Sequence, residues 1–178
     1  MPKHIVLTGF AACGKSTTGR LLARRLQRPF IDVDSEVARR HGDIAEIFSQ
    51  EGEARFRDYE YAATAAALNS SEPVVIALGG GGLTDCRTRG LLAQSVLTTV
   101  FLDVPLEVIR RRLAGSPMVR PLLRDASRPG ALQALYAARR DGYLGAHLAI
   151  DAGELTPSEL VHRIISRLRY PRENATVP

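Results

Sequence analysis

The segment Gly9-Phe10-Ala11-Ala12-Cys13-Gly14-Lys15-Ser16 decides the fold. It has the spacing of a phosphate-binding P-loop, in which four residues separate two glycines and the second glycine precedes Lys and Ser. The apolar run Ile5–Leu7 before it is typical of a strand. Residues 16–27 after it have helical spacing, with the apolar members Leu21, Leu22 and Leu26. The alternative is a chance match on a glycine-rich turn, which this strand-loop-helix context disfavours.

A P-loop between a strand and a helix can bind the phosphates of a nucleotide. The first backbone N–H groups of the helix have no partners within it, and the helix dipole favours anions there. Gly9 and Gly14 allow backbone angles that a side chain would forbid. Lys15 can reach the β- and γ-phosphates, and the Ser16 hydroxyl can hold Mg²⁺.

Length and composition indicate one ordinary globular domain. With 178 residues the chain can bury a core, and we place the domain at residues 1–170. Residues 171–178 contain two prolines and few apolar side chains, which predicts a disordered tail. The sequence has no membrane-length apolar run and no signal peptide, so we expect a cytoplasmic protein without a membrane partner.

The formal net charge of +5 permits three interpretations. The charge could serve to bind nucleic acid, or to bind an anionic small substrate together with ATP. The third interpretation is a well-solvated surface without a binding role. We rank nucleic acid last, because the sequence lacks aromatic residues interleaved with basic ones.

Two carboxylates follow the second predicted strand. Residues 30–34 read as a short strand that ends with Asp32 and Asp34. Ligands of open α/β sheets lie beyond the carboxyl ends of the strands, and alternating side chains would point both aspartates the same way if the segment stayed extended. One could then act near Mg²⁺ and the other on a substrate hydroxyl. The alternative is that Asp34 only caps a helix beginning at Ser35.

Further along the chain, Arg57 and Glu60 are three residues apart on a predicted helix, so they share a face. A carboxylate beside an arginine can orient the guanidinium for bidentate capture of an anion. The alternative is a solvated surface ion pair.

Four glycines, Gly79 to Gly82, follow the apolar strand Val74–Leu78. Glycines at this position let a ligand lie against the backbone and bond to its N–H groups. The alternative is a flexible turn.

A glycine- and proline-rich segment carries the arginines Arg120 and Arg124. We interpret residues 113–125 as a lid that brings positive charge to the phosphates; an ordinary basic loop is the alternative. Along the whole chain, strands and helices alternate, which predicts a parallel sheet covered by helices on both faces.

Together these motifs resemble the shikimate kinase family, in order and at similar spacing over residues 4–168. The motifs are the P-loop, Asp32-Val33-Asp34, Phe56-Arg57 with Glu60, Gly79-Gly80-Gly81, and Arg120-Pro121-Leu122-Leu123. The resemblance implies an α/β fold of the nucleoside monophosphate kinase type: a three-layer αβα sandwich with a five-stranded parallel sheet in the order 2-3-1-4-5, a P-loop and a lid. It implies Mg²⁺- and ATP-dependent phosphorylation of the 3-hydroxyl of shikimate by a monomer.

The resemblance also implies roles for individual residues. The catalytic groups would be Lys15, Asp34 and Arg120. The substrate-binding region would be residues 33–61, where Asp34 and Arg57 would bind shikimate and Glu60 would orient Arg57. Further contacts to shikimate would come from Gly79, Gly80, Gly81 and Arg139. ATP would be bound by Gly9, Ala12, Cys13, Gly14, Lys15, Ser16, Thr17, Arg112, Arg120 and Pro157. Mg²⁺ would be held by Ser16 directly and by Asp32 through water.

One departure from the family pattern falls beside Arg139. The family has proline and leucine before the following tyrosine, whereas Asp141 and Gly142 precede Tyr143 here. Rival functions are a gluconate-type or nucleoside monophosphate kinase, and a P-loop protein that binds nucleotide without catalysis. The presence of Lys15 and Asp34 argues against the last, and the arginine and glycine motifs argue against the other kinases.

Overall fold

In the computed structural model, which describes residues 1–93, 96–115 and 130–170, five parallel strands form one sheet in the order β2-β3-β1-β4-β5. This confirms the predicted sheet. The strands are β1 (His4–Thr8), β2 (Phe30–Asp32), β3 (Val75–Ala77), β4 (Leu97–Asp103) and β5 (Leu148–Asp151).

Helices connect successive strands and cover both faces of the sheet. Their bounds are α1 (Lys15–Leu26), α2 (Val33–His41), α3 (Ile44–Gln50), α4 (Gly52–Leu68), α5 (Cys86–Leu92), α6 (Leu106–Ala114), α7 (Ala131–Leu144) and α8 (Pro157–Arg169). A short 3-10 turn at Gly82–Thr84 follows β3. Thr156 and Glu159 form a capping box at the start of α8, with Pro157 at its first position.

The alternation of side chains along β1 divides the core into two layers. Ile5 and Leu7 pack into a cluster with residues of α1, α6, α7 and α8. Val6 points to the other face and packs with residues of α2, α3, α4 and α5. The central strand is therefore buried on both faces, which explains its unbroken apolar sequence.

The predicted strand at residues 30–34 is too long. It ends at Asp32, and α2 begins at Val33. Asp32 caps this helix, because its Oδ1 accepts a hydrogen bond from the Ser35 backbone N–H at 3.2 Å. Asp34 is thus neither part of a strand nor a cap; it lies in the first turn of α2.

One smaller prediction also differs from the structure. Leu21 is 39% exposed and does not belong to the apolar face of α1. The lid was expected at residues 113–125, but Leu113 and Ala114 belong to α6. The rest of the expected lid from residue 116 onward, with Arg120, and the expected tail at residues 171–178 lie outside the described residues. Among the described helices, none has the length and apolarity to cross a membrane.

Candidate active site

The P-loop connects β1 to α1 and curls around the amino group of Lys15. Lys15 Nζ donates to the carbonyl oxygens of Gly9 at 2.7 Å and Phe10 at 3.0 Å. Gly9 has φ +138°, and a Cβ there would lie 2.8 Å from the Leu102 carbonyl oxygen of β4. Only glycine fits this position, so the predicted role of Gly9 in shaping the loop has a steric basis.

A cleft of about 680 Å³ opens beside the P-loop. The expected ATP-binding residues that line it are Ala12, Cys13, Gly14, Lys15, Ser16, Thr17, Arg112 and Pro157. Arg112 Nη1 lies 3.4 Å from the Ala12 carbonyl oxygen and 3.3 Å from that of Cys13. Leu155 and Leu160 give the Pro157 end of the cleft apolar walls. The cleft therefore joins a polar phosphate end to an apolar end of the kind that accepts a nucleobase.

Two oxygen-bearing side chains meet at the phosphate end. Ser16 Oγ donates to Asp32 Oδ2 at 2.5 Å. Hydroxyl and carboxylate oxygens are ligands that suit Mg²⁺, which usually takes one or two protein oxygens and completes its shell with phosphates and water. No cluster of three or more potential protein ligands occurs within residues 1–93, 96–115 and 130–170. The pair Ser16 and Asp32 therefore fits a nucleotide-bound Mg²⁺ better than a metal caged by protein alone.

On the other side of the P-loop, Arg57 and Glu60 form a buried ion pair. Arg57 is 8% exposed and Glu60 is 1% exposed, so the alternative of a solvated surface pair is wrong. Arg57 Nη1 lies 2.5 Å from Glu60 Oε2, and Arg57 Nη2 lies 2.9 Å from Glu53 Oε1. Burial opposes the charge on Arg57, but the two glutamates outweigh it and raise the pKa of Arg57. The guanidinium is therefore charged and held in one orientation.

The glycine segment after β3 lets charged side chains approach the backbone. A Cβ at Gly79 would collide with Glu60 Oε1 and lie 2.6 Å from Asp34 Oδ1. A Cβ at Gly81 would lie 2.5 Å from Arg57 Nη2. These glycines are needed for space, which the flexible-turn alternative does not explain. They bring together the predicted residues Asp34, Arg57 and Glu60, although Asp34 comes from a helix and not from a strand.

The two carboxylates at this segment influence one another. Burial raises the pKa of Glu60, and the nearby charge of Asp34 adds to the rise while Arg57 opposes it. Glu60 Oε1 has no hydrogen-bond partner among the described residues. The interaction that Glu60 makes here is its ion pair with Arg57. Asp34 is the more solvent-accessible carboxylate, since it also lines the cleft beside the P-loop.

Arg139 supplies a second buried guanidinium on the α7 side of the glycine segment. Its Nη1 lies 3.3 Å from the Gly80 carbonyl oxygen, and its guanidinium carbon lies 5.7 Å from the ring centre of Phe10. Its Nε finds no partner in the described part of the chain. Burial lowers the pKa of Arg139, and the positive charge of Arg57 lowers it further. Two cations close enough to repel one another form a site that an anion would stabilise.

Two residues of this site were not among the predicted ones. Tyr143 is buried and its hydroxyl donates to the Gly80 carbonyl oxygen at 2.5 Å. Glu53 contacts Arg57 at the rim. The signal was helical spacing, because Tyr143 follows Arg139 by four residues and Glu53 precedes Arg57 by four. Arg120 lies outside the described residues, so its expected place over the phosphates stays a prediction.

Comparison with known proteins identifies relatives of the chain. The family profile described as shikimate kinase matches residues 11–169. The shikimate kinase of Geobacter sulfurreducens is 42% identical over 168 residues, covering 94% of this chain and 91% of that protein. The shikimate kinase of Aquifex aeolicus is 41% identical over 173 residues, covering 93% and 95%. A solved structure of shikimate kinase from Acinetobacter baumannii in complex with shikimate matches with a TM-score of 0.83 at 30% identity, covering 97% of this chain and 96% of that one.

Proposed function

Because the chain belongs to the shikimate kinase family, we propose that it transfers the γ-phosphoryl group of Mg-ATP to the 3-hydroxyl of shikimate. One observation carries the choice of acceptor: the buried guanidiniums of Arg57 and Arg139 contact neighbouring glycines, Gly81 and Gly80, next to the carboxylate of Asp34. An acceptor with one carboxylate and several hydroxyls matches this arrangement. The members of this family are ATP-dependent phosphotransferases.

The nucleotide side of the cleft supplies charge and position. The P-loop N–H groups and Lys15 would bind the β- and γ-phosphates. Ser16 would hold Mg²⁺ and Asp32 would hold it through water; when bound, the ion neutralises charge on the phosphates. Lys15 now donates to loop carbonyls, and we expect it to keep the loop closed while one donor turns to the phosphate. Arg112 and Pro157 would flank the base.

The acceptor side orients the nucleophile. The carboxylate of shikimate would bind between Arg57 and Arg139, which fixes the ring and leaves its hydroxyls toward Asp34. The oxygen of the 3-hydroxyl then forms a bond to the γ-phosphorus as the bond to the ADP oxygen breaks, and ADP leaves with that electron pair. The hydroxyl proton passes to the carboxylate of Asp34. Such a transfer needs positioning and charge neutralisation more than covalent chemistry.

A comparison of acceptors tests this function. We would measure ADP release with Mg-ATP and shikimate, quinate, gluconate or no acceptor, using wild type, Arg57→Ala and Arg55→Ala. Arg55 is the matched control, because it lies on the same helix with its side chain 55% exposed. Turnover with shikimate that falls at least 100-fold in Arg57→Ala and stays near wild type in Arg55→Ala would support the assignment. Turnover with gluconate and not with shikimate would mean that the acceptor is gluconate. Nucleotide binding without any turnover would favour the non-catalytic alternative.

The remaining expectations are also proposals. Arg120, from a lid at residues 113–125, would close over the phosphates, so Arg120→Ala should lower kcat. We propose that the enzyme acts in the cytoplasm as a monomer, without nucleic-acid or membrane partners. Size-exclusion chromatography at the assay concentration tests the monomer.

A further inference from the structure

The carbonyl group of Gly80 is held by two donors from α7. The Tyr143 hydroxyl donates to its oxygen at 2.5 Å and Arg139 Nη1 at 3.3 Å. Neither bond is part of the sheet or of a helix. Both reach across 59 residues or more of sequence to the loop after β3. The direction of this single carbonyl is therefore determined by α7.

The direction of the Gly80 carbonyl also determines where the next N–H group points. The peptide bonds of the described chain are trans, and in a planar trans peptide the C=O and the N–H point in opposite directions. Since the Gly80 oxygen faces α7, the Gly81 N–H points away from that oxygen. Arg57 is adjacent to this peptide, because a Cβ at Gly81 would lie 2.5 Å from Arg57 Nη2. Among the described residues, no backbone carbonyl is recorded as accepting from this N–H. Gly81 is a buried residue beside Arg57, so its N–H can donate to an oxygen of the proposed acceptor.

Tyr143 is suited to fix this peptide. Its ring is 2% exposed and stacks on Phe101 with 5.2 Å between ring centres, so it loses little freedom in making the bond. Burial raises the pKa of the Tyr143 hydroxyl, although Arg139 opposes the rise. The hydroxyl therefore stays protonated and stays a donor. Arg139, by contrast, has to turn toward the carboxylate of the acceptor.

We propose that Tyr143 is a positioning residue of the acceptor site: its hydroxyl locks the Gly80–Gly81 peptide so that the Gly81 N–H donates to a hydroxyl or carboxylate oxygen of the acceptor. The proposal rests on the proposed function for the identity of that acceptor. Tyr143 itself does not contact the reacting atoms. Its removal should therefore change the binding of the acceptor and leave the nucleotide side intact.

Tyr143→Phe tests the lock, with Tyr136→Phe as the matched control. Both tyrosines lie on α7, and the Tyr136 hydroxyl also donates to a backbone carbonyl, that of Val104 at 3.1 Å. We expect Tyr143→Phe to raise KM for shikimate about tenfold, which corresponds to a loss of about 1.4 kcal/mol, with KM for ATP unchanged. Tyr136→Phe should leave KM for shikimate and KM for ATP within about twofold of wild type. It should lose about as much thermal stability as Tyr143→Phe, because each variant removes one hydrogen bond to a backbone carbonyl.

A second measurement does not depend on turnover. The amide resonance of Gly81 in ¹⁵N-labelled wild type should shift on addition of shikimate, and in the free protein it should differ between wild type and Tyr143→Phe but not Tyr136→Phe. An unchanged KM for shikimate in Tyr143→Phe, an equal rise in Tyr136→Phe, or a Gly81 resonance insensitive to Tyr143 would overturn the proposal. Absence of shikimate-dependent turnover in wild type would instead remove the proposed function, and the Gly81 resonance of the free proteins would still decide whether Tyr143 locks the peptide.

Discussion

Arg57 Nη1 and Glu60 Oε2 lie 2.5 Å apart with both side chains shielded from solvent. Replacing Glu60 with Gln removes the buried partner and leaves Arg57 with Glu53 alone, at the rim. We predict that Glu60→Gln lowers the free energy of unfolding by about 3 kcal/mol, because an uncompensated buried charge is costly. It should also raise KM for shikimate, since Arg57 loses its fixed orientation. Urea unfolding and steady-state kinetics measure the two effects.

Glu53→Gln is the control for this prediction. Glu53 also bonds to Arg57, at 2.9 Å, but its side chain is 56% exposed. An exposed pair contributes little, so we expect a loss below about 1 kcal/mol. Equal losses from the two glutamate variants would mean that burial of the pair does not matter.

The crowding of Gly79 gives a second prediction. An added Cβ would meet Glu60 Oε1 and Asp34 Oδ1, so Gly79→Ala must push both carboxylates away from the loop. We expect kcat/KM for shikimate to fall at least about 100-fold, because displacements near 1 Å have effects of that size. Gly90→Ala in α5 is the control, since a Cβ there meets nothing within 4 Å and alanine favours a helix. An active Gly79→Ala enzyme would show that these carboxylates need not approach the backbone.

Arg112 provides a test of the nucleotide side. Its guanidinium bridges from α6 to the carbonyl oxygens of Ala12 and Cys13 and lines the cleft. We predict that Arg112→Ala raises KM for ATP about tenfold, through loss of packing and of the bond to the loop, while KM for shikimate changes little. Arg110 lies on a different face of the same helix, and its side chain is 45% exposed. Arg110→Ala should therefore resemble wild type. A rise in KM for shikimate of the same size would contradict the separation of the two sides.

The free energy of unfolding should fall as the pH drops, because of His4. This residue at the start of β1 is 1% exposed, and neither ring nitrogen has a hydrogen-bond partner in the described part of the chain. Burial lowers the pKa of His4, and Lys3 and Arg28 lower it further. The unfolded chain therefore binds a proton near pH 6.5 while the folded chain does not, so the free energy of unfolding falls as the pH drops below 6.5.

The variant His4→Leu should remove most of this slope between pH 6.5 and 5. The Glu36 carboxylate adds its own dependence at lower pH: Arg39 lowers the pKa of Glu36 to about 2, and the stability from that pair is lost as the pH falls below about 4.5. Burial raises the pKa of Glu60, which gives a dependence of opposite sign that both proteins share. Urea unfolding of both proteins at several pH values makes the comparison. Parallel curves for wild type and His4→Leu would exclude His4 as the cause.

The main features of the fold follow from local sequence. The P-loop spacing and the apolar strands each predict structure from a few neighbouring residues, and the structure confirms them. The start of α2 was predicted wrongly because Val33 is β-branched and suits a strand, whereas the Asp32 cap favours a helix. A local pattern could not decide between these two tendencies.

The site was harder to predict where it depends on distant contacts. Arg57 and Glu60 could be paired from their spacing, but their burial depends on Gly79 and Gly81 packing against α4. Helical spacing can place Tyr143 on the same face of α7 as Arg139, but it cannot indicate the bond from Tyr143 to Gly80, which joins residues 63 positions apart. Tyrosine is also common in cores, so its hydroxyl gave no reason to assign a role.

The P-loop follows β1 and the glycine segment follows β3, and these two strands are direct neighbours, with Leu7 beside Ala77. In the proposed reaction, the separation between the phosphate donor and its acceptor would therefore depend on the spacing of two paired strands, about 4.8 Å. The residues proposed to select the acceptor lie instead on helices α2, α4 and α7. Mutations on those helices would then change the alcohol that is phosphorylated, while the main chain would keep the distance over which the phosphoryl group travels.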